Sequence, residues 1–196
     1  YSIVYIPHFM SWVVAASIFS MILSPTSAGL VNDILMKLHL ISDNIYFLGD
    51  QKWWRFSYYL INVWKDTGWG TIIFMATLAG ISPELYEAAS MDGANRFQKM
   101  IYITLPALNN TIVTVLVLNL AKVMNLFESV FVLQNDAVIK VSDVLQTYIY
   151  TQTFNSGAIP DYGYTTAVGM FSSIISCILV LVCNRVSHKT RGRGIV

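Results

Sequence analysis

Glu84, Glu87 and Asp92 are the carboxylates of this 196-residue chain best placed for chemistry with another molecule, in a charged segment between two long apolar ones. A carboxylate on a short helix beside small residues suits an Arg or Lys of a partner protein, through a charge-assisted hydrogen bond. No constellation for covalent catalysis accompanies them. His8, His39 and His188 are scattered. Cys177 and Cys183 lie about 240° apart around one expected helix, so they neither pair nor share a metal. No glycine loop has the spacing that cradles a phosphate. The expectation is no catalytic site, no metal and no cofactor on this chain.

The elements that must present those carboxylates are legible locally. Ser82 is a good N-cap, Pro83 a good first helical residue, and Glu84 favours the positive end of the helix dipole. A short helix is expected from Pro83 to about Met91. Gly93 takes the backbone angles that end it, and Asp92, just before Ala94 and Asn95, is expected to cap a second helix. Ala88 and Ala89 leave one face nearly bare, so that a partner's groove can approach the backbone. Pro106 has no amide hydrogen and is best tolerated where the next helix starts.

Composition places the chain in a membrane. Charged residues are only 12% of it, about half the share of a soluble domain. Four apolar stretches are long enough to cross a core about 30 Å thick: Ser2 to Leu23, Tyr58 to Ile81, Leu105 to Leu133, and Tyr164 to Val182. Two crossings separate the charged segment from the C-terminal tail, so both lie on one side. The tail carries Arg185, Lys189, Arg191 and Arg193 without an acidic residue, which puts that side in the cytoplasm. Ser24 to Ser57 and Gln134 to Gly163 then face outward. Tyr1 opens inside what reads as a spanning helix, so about two further spans are expected before it.

The stretch EAASMDGANRFQKMIYITLPAL, Glu87 to Leu108, resembles the cytoplasmic coupling loop of the membrane subunits of bacterial ABC importers. Glu87, Ala88, Ala89, Asp92, Gly93, Ala94, Ile103, Leu105 and Pro106 fall in register with that pattern. Ile6 to Val14, Val63 to Ala89, the FES after Leu126 and the TAVGMF after Thr165 are similar to its carbohydrate branch, especially the polysaccharide and oligosaccharide permeases of Gram-positive bacteria. One departure is that Asn109 and Asn110 stand where the family often has a second proline.

The resemblance implies an all-α, polytopic membrane protein with the type I ABC importer permease fold and about four spans here. It implies a transmembrane domain over residues 1–196, lacking its N-terminal spans, with a coupling loop over residues 82–106. Glu84, Glu87, Ala88, Ala89, Asp92, Gly93, Ala94, Leu105 and Pro106 would engage the ATPase. The implied partners are a second permease, cytoplasmic ATPase subunits holding ATP and Mg, an external solute-binding protein, the lipid bilayer of a bacterial cell membrane and a carbohydrate, with no nucleic acid. The alternatives are an importer for a non-sugar solute, or a secondary transporter or channel, whose mark would be ionisable groups deep in several spans.

Residues for the solute path come from aromatic and polar clusters. Trp53, Trp54, Trp64 and Trp69 gather at the outer end of the second span, where a ring stacks on a sugar face or anchors the span in an interfacial belt. Lys65 and Asp66 are expected to snorkel or pair near the outer surface. Drawn as one helix, the third span brings Thr111, Thr114, Lys122, Asn125 and Ser129 within about 80°, with Glu128 at the edge. Such a face lines a path or glues helices together.

Overall fold

The computed structural model describes residues 2–26, 29–155 and 161–191, with side chains from residue 4 to residue 185 among them. Every regular element among the described residues is helical. Tyr1 and Arg193 lie outside them.

Local capping chemistry explains where the helices start. The first apolar stretch is two helices, α1 (Ser2–Phe9) and α2 (Trp12–Ile22), not one continuous span. Ser11 breaks it: its backbone is extended and its Oγ accepts the Val14 N–H at 3.3 Å, capping α2. After α3 (Leu30–Lys37), α4 (Gln51–Ala79) begins well before the expected Tyr58. Asp50 supplies the reason, since its carboxylate accepts the Lys52 N–H and its carbonyl the Trp53 and Trp54 N–H groups.

Next come α5 (Pro83–Met91) and α6 (Arg96–Lys99), the latter running through a π-helical turn, Met100–Thr104, into α7 (Leu105–Val123). The third apolar stretch therefore ends at Val123, and Met124 to Phe127 is not helical. Gln146 donates to the Met124 carbonyl at 3.2 Å, and the Phe127 ring packs against Phe131 and Tyr150, so the break is covered by side chains. The remaining helices are α8 (Glu128–Leu133), α9 (Ile139–Ser142), α10 (Leu145–Phe154) and α11 (Tyr162–Arg191), the last capped by Asp161.

The chain divides into two compact units. One comprises Tyr1–Gly68 and Met124–Ile175. Its core follows one face of α4, where Trp54, Tyr58, Ile61, Lys65 and Gly68 recur at helical spacing and are all buried. Trp54 stacks on Tyr58 with centroids 5.1 Å apart and donates from Nε1 to the Leu133 carbonyl. Val130, Leu133 and Val138 complete this core. A Cβ at Gly68 would stand 2.1 Å from the Val4 carbonyl oxygen, so α1 lies directly on the α4 backbone there.

The other unit comprises Trp69–Val123 and Ser176–Val196. Hydroxyl pairs tie its helices, with Thr77 Oγ1 2.8 Å from Thr111 Oγ1 and Tyr86 Oη 2.9 Å from Thr104 Oγ1.

Two helical runs among the described residues are long and apolar enough to cross a membrane: Arg96–Val123 and Tyr162–Arg185. Their large side chains, such as Leu118, Met170, Phe171 and Ile174, are mostly exposed. Helices this apolar and this unburied need lipid or a partner helix around them.

Candidate functional site: the charged segment and the polar faces

The charged segment folds as helix, sharp turn, helix. Ser82 Oγ accepts the Glu84 N–H at 3.3 Å and Pro83 opens α5, as its sequence requires. The helix closes in a Schellman motif, with the Gly93 N–H bonded to the Ser90 carbonyl and the Ala94 N–H to the Ala89 carbonyl. Gly93 has φ +79°. A Cβ there would meet nothing within 4 Å, so the demand for glycine is set by the backbone angle alone.

The second helix is capped by Asn95, not by Asp92. Asn95 Oδ1 accepts the Gln98 N–H at 2.9 Å while Gln98 Oε1 accepts the Asn95 N–H at 2.8 Å, a reciprocal capping box. Asp92 is instead the last half-helical residue of α5. The Schellman closure consumes Gly93 and Ala94, so Asn95 is the first position extended enough to start a new helix.

Glu84, Glu87 and Ala88 are exposed, and Ala89 and Ala94 are half-buried. Leu85, Met91 and Phe97 add apolar surface, at 54%, 89% and 64% exposure. Sequence reasoning did not single out those three; their signal was a large apolar side chain in an otherwise polar helix-turn-helix. The segment is also tied to the long helix that follows. Lys99 donates to Ser90 Oγ at 2.5 Å, Ser90 Oγ donates to the Tyr86 carbonyl at 2.7 Å, and Tyr86 meets Thr104 in the π-helical turn.

Leu105 and Pro106 stand at the head of α7, but the helix does not start afresh there. The Leu105 N–H reaches the Met100 carbonyl, five residues back, so the wide turn absorbs the donor that Pro106 lacks. The helical backbone is thus continuous from α6 through the wide turn into α7, and the Tyr86–Thr104 hydroxyl pair ties α5 to it.

The polar residues of the third stretch do not share one helical face. Lys122 is exposed near the end of α7, while Asn125 lies in the break. Asn125 Oδ1 stands 3.4 Å from Gln146 Nε2. Ser129 is buried on α8 with its hydroxyl 2.9 Å from Tyr58 Oη, and Glu128 beside it is exposed. Thr111 is taken up by Thr77.

Among the tryptophans, Trp54 is core. Trp53 meets Phe47 and Phe56 edge-on, and Trp64 meets Phe19 edge-on while 39% exposed. Trp69 is 47% exposed. Lys65 is buried rather than snorkelling, and it is Asp66 that is exposed, 3.3 Å from His8 Nδ1.

Residues 1–192 match the family described as binding-protein-dependent transport system inner membrane component. The chain is 40% identical over 98% of its length to Protein LplB of Bacillus subtilis, and 39% identical over 99% to the polygalacturonan/rhamnogalacturonan transport system permease protein YteP of the same organism. It spans 59% of the length of each. In three dimensions it is similar to a chain of a bacterial alginate ABC transporter solved with an alginate pentasaccharide-bound periplasmic protein, with TM-score 0.91 and 36% identity over 99% of this chain and 66% of that one.

Proposed function

Because this chain belongs to the family of binding-protein-dependent transport system inner membrane components, we propose that it is a permease subunit of an ATP-driven importer for an oligosaccharide or polysaccharide fragment. Membership makes it a membrane component of a transport system and not an enzyme. ATP and Mg then belong to separate ATPase subunits. The solute arrives on an external binding protein, and a second permease completes the path.

The observation that carries the reading is the exposed segment from Pro83 to Lys99, a capped helix with a bare alanine face, rigidly closed at Gly93 and continuous with a helix long enough to span a membrane. Residues 82–106 form the cytoplasmic coupling loop in this reading. Glu84 and Glu87 offer carboxylates to an Arg or Lys of the ATPase, Ala88 and Ala89 let its groove close on the backbone, and Leu85 and Met91 supply apolar anchors. Asp92, Gly93 and Ala94 fix the exit angle, and Leu105 and Pro106 carry motion into α7.

In this reading Lys122, Asn125, Glu128, Ser129, Trp64 and Trp69 are each assigned to the path, Ser129 being held by its bond to Tyr58. Asn125, in the break after α7, and Glu128, at the start of α8, are exposed, which supports this assignment. The saccharide solute is supported by the relatives, a polygalacturonan/rhamnogalacturonan transport system permease and the alginate transporter of the solved complex.

Co-purification with ATPase subunits, followed by uptake measurements over a sugar panel with the cognate binding protein, tests the proposal. Robust solute flux by this chain in liposomes without any ATPase would overturn it in favour of a secondary transporter or channel.

A further inference from the structure

Beyond the path residues, the unit of Tyr1–Gly68 and Met124–Ile175 contains a preformed cavity of about 320 Å³ whose walls come from three separate segments: the end of α2, the loop that precedes α4, and the end of α8. Those walls are stapled together. Asn32, 1% exposed, donates from Nδ2 to the carbonyls of Ser24 at 2.8 Å and Ile45 at 2.9 Å, and its Oδ1 accepts the Ile45 N–H at 3.0 Å. Asn135 Nδ2 donates to the Leu48 carbonyl at 2.7 Å, joining the third wall to the second. A buried amide making three hydrogen bonds across thirteen residues of chain holds the cavity open without a ligand.

The lining is uncharged. No Asp, Glu, Lys, Arg or His contributes to it, yet polar groups cover much of its surface. Tyr46 is 50% exposed, and its orientation is set by Gly49, where a Cβ would stand 2.1 Å from the ring. Among the described residues, its hydroxyl, the half-buried Gln134 amide and the Ser20 hydroxyl have no hydrogen-bond partner. Leu23, Leu48 and Leu133 supply an apolar floor. An aromatic face, an amide that both donates and accepts, hydroxyls and no charge together match a pyranose, which offers an apolar C–H face and a rim of neutral hydroxyls. The volume is at the low end for small-molecule sites, about 300–1,000 Å³, which suits one or two sugar units and not a long chain.

We propose that this cavity is a receiving subsite for an uncharged sugar unit, occupied as the solute leaves its binding protein and before it enters the membrane path. The inference rests on the carbohydrate-importer reading. Stacking on Tyr46 and a hydrogen bond to Gln134 hold the ring, and a carboxylated sugar is disfavoured because no cation in the lining offsets its desolvation.

The test is saturation-transfer NMR titration of the full-length protein, assembled with its partner subunits, using maltotriose, cellotriose and trigalacturonate as probes, with uptake of the same sugars measured in parallel. Neutral trisaccharide binding is expected, weakened about tenfold by Gln134→Leu, which removes the amide donor and acceptor. A comparable loss is expected from Gly49→Ala, whose new Cβ pushes the Tyr46 ring and its hydroxyl aside while leaving the Gln134 and Ser20 side chains unchanged. Among the described residues the Gln134 side chain has no hydrogen bond to lose, and its backbone bond to the Val130 carbonyl is kept, so Gln134→Leu keeps the proposal testable if Gly49→Ala fails to assemble. Equal binding in wild type and variants, binding of trigalacturonate in preference to both neutral sugars, or no binding at all overturns the subsite. Carbohydrate uptake by wild type together with unchanged variant binding would sink the subsite alone, whereas ATP-driven uptake confined to non-sugar solutes would sink the importer reading on which it rests.

Discussion

Lys65 donates a hydrogen bond from Nζ to the carbonyl oxygen of His8 at 3.0 Å, and the same ammonium lies 5.0 Å above the centroid of the Trp12 ring. His8 is in the last turn of α1, and Trp12 is the first residue of α2. One buried cation thus holds both sides of the break, satisfying a carbonyl freed at the helix end and favouring the negative end of its dipole. That arrangement lets an apolar stretch change direction where water is scarce.

Lys65→Met is therefore expected to destabilise the protein by about 1–3 kcal/mol, through loss of a charge-assisted hydrogen bond to the part-buried His8 carbonyl. Thermal unfolding in detergent, followed by tryptophan fluorescence, measures it. An unchanged midpoint would mean that the carbonyl finds another donor and that Lys65 is not a structural brace.

At the coupling segment, Gly93→Val is expected to cost about 1–2 kcal/mol for a branched residue at positive φ, and to release the exit angle of α5. Gly93→Asn, which tolerates that region, is expected to retain most function. Glu87→Lys leaves the turn intact but reverses the charge offered to the ATPase. Both Gly93→Val and Glu87→Lys should insert normally, lose ATPase on purification and fail in uptake; uptake at wild-type rates with either one would dismiss the segment as the coupling element.

Asn125 sits in the break after α7, beside Gln146, and is exposed. Asn125→Leu is expected to impair solute-stimulated transport while assembly and basal ATP hydrolysis stay close to wild type. Ser129→Ala should act differently, lowering thermal stability through the lost bond to Tyr58 without a selective effect on solute. If Asn125→Leu disrupts assembly and the surviving complex handles solute normally, Asn125 is packing glue.

Sidedness has a direct check. Single cysteines at Asp43 and Asn155 are expected to react with a membrane-impermeant maleimide in intact cells, and cysteines at Asn95 and Lys189 only after permeabilisation. The reverse pattern would invert the arrangement and move the cavity beside Tyr46 to the cytoplasmic side.

The helix-turn-helix from Pro83 to Lys99 was legible in the sequence because its determinants are local: a capping Ser82, a Pro83 at the first helical position and a Gly93 at positive φ act within a few residues of chain. The helical membrane class was legible as well, since charge content and apolar runs reflect the solvent in which the chain must fold. Long-range pairing was not legible. Nothing in the order of residues says that Asn32 reaches Ile45, that Trp54 becomes core by donating to Leu133, or that Lys65 turns inward to His8, because each depends on which helix ends meet. The helical wheel from Thr111 to Ser129 failed for the same reason, as tertiary contacts from Gln146 and Tyr150 cover a break that periodicity reads as continuous helix. Periodicity records which residues avoid water. Only packing decides where the helix stops, and so which polar groups are spent on the fold and which stay available to a solute.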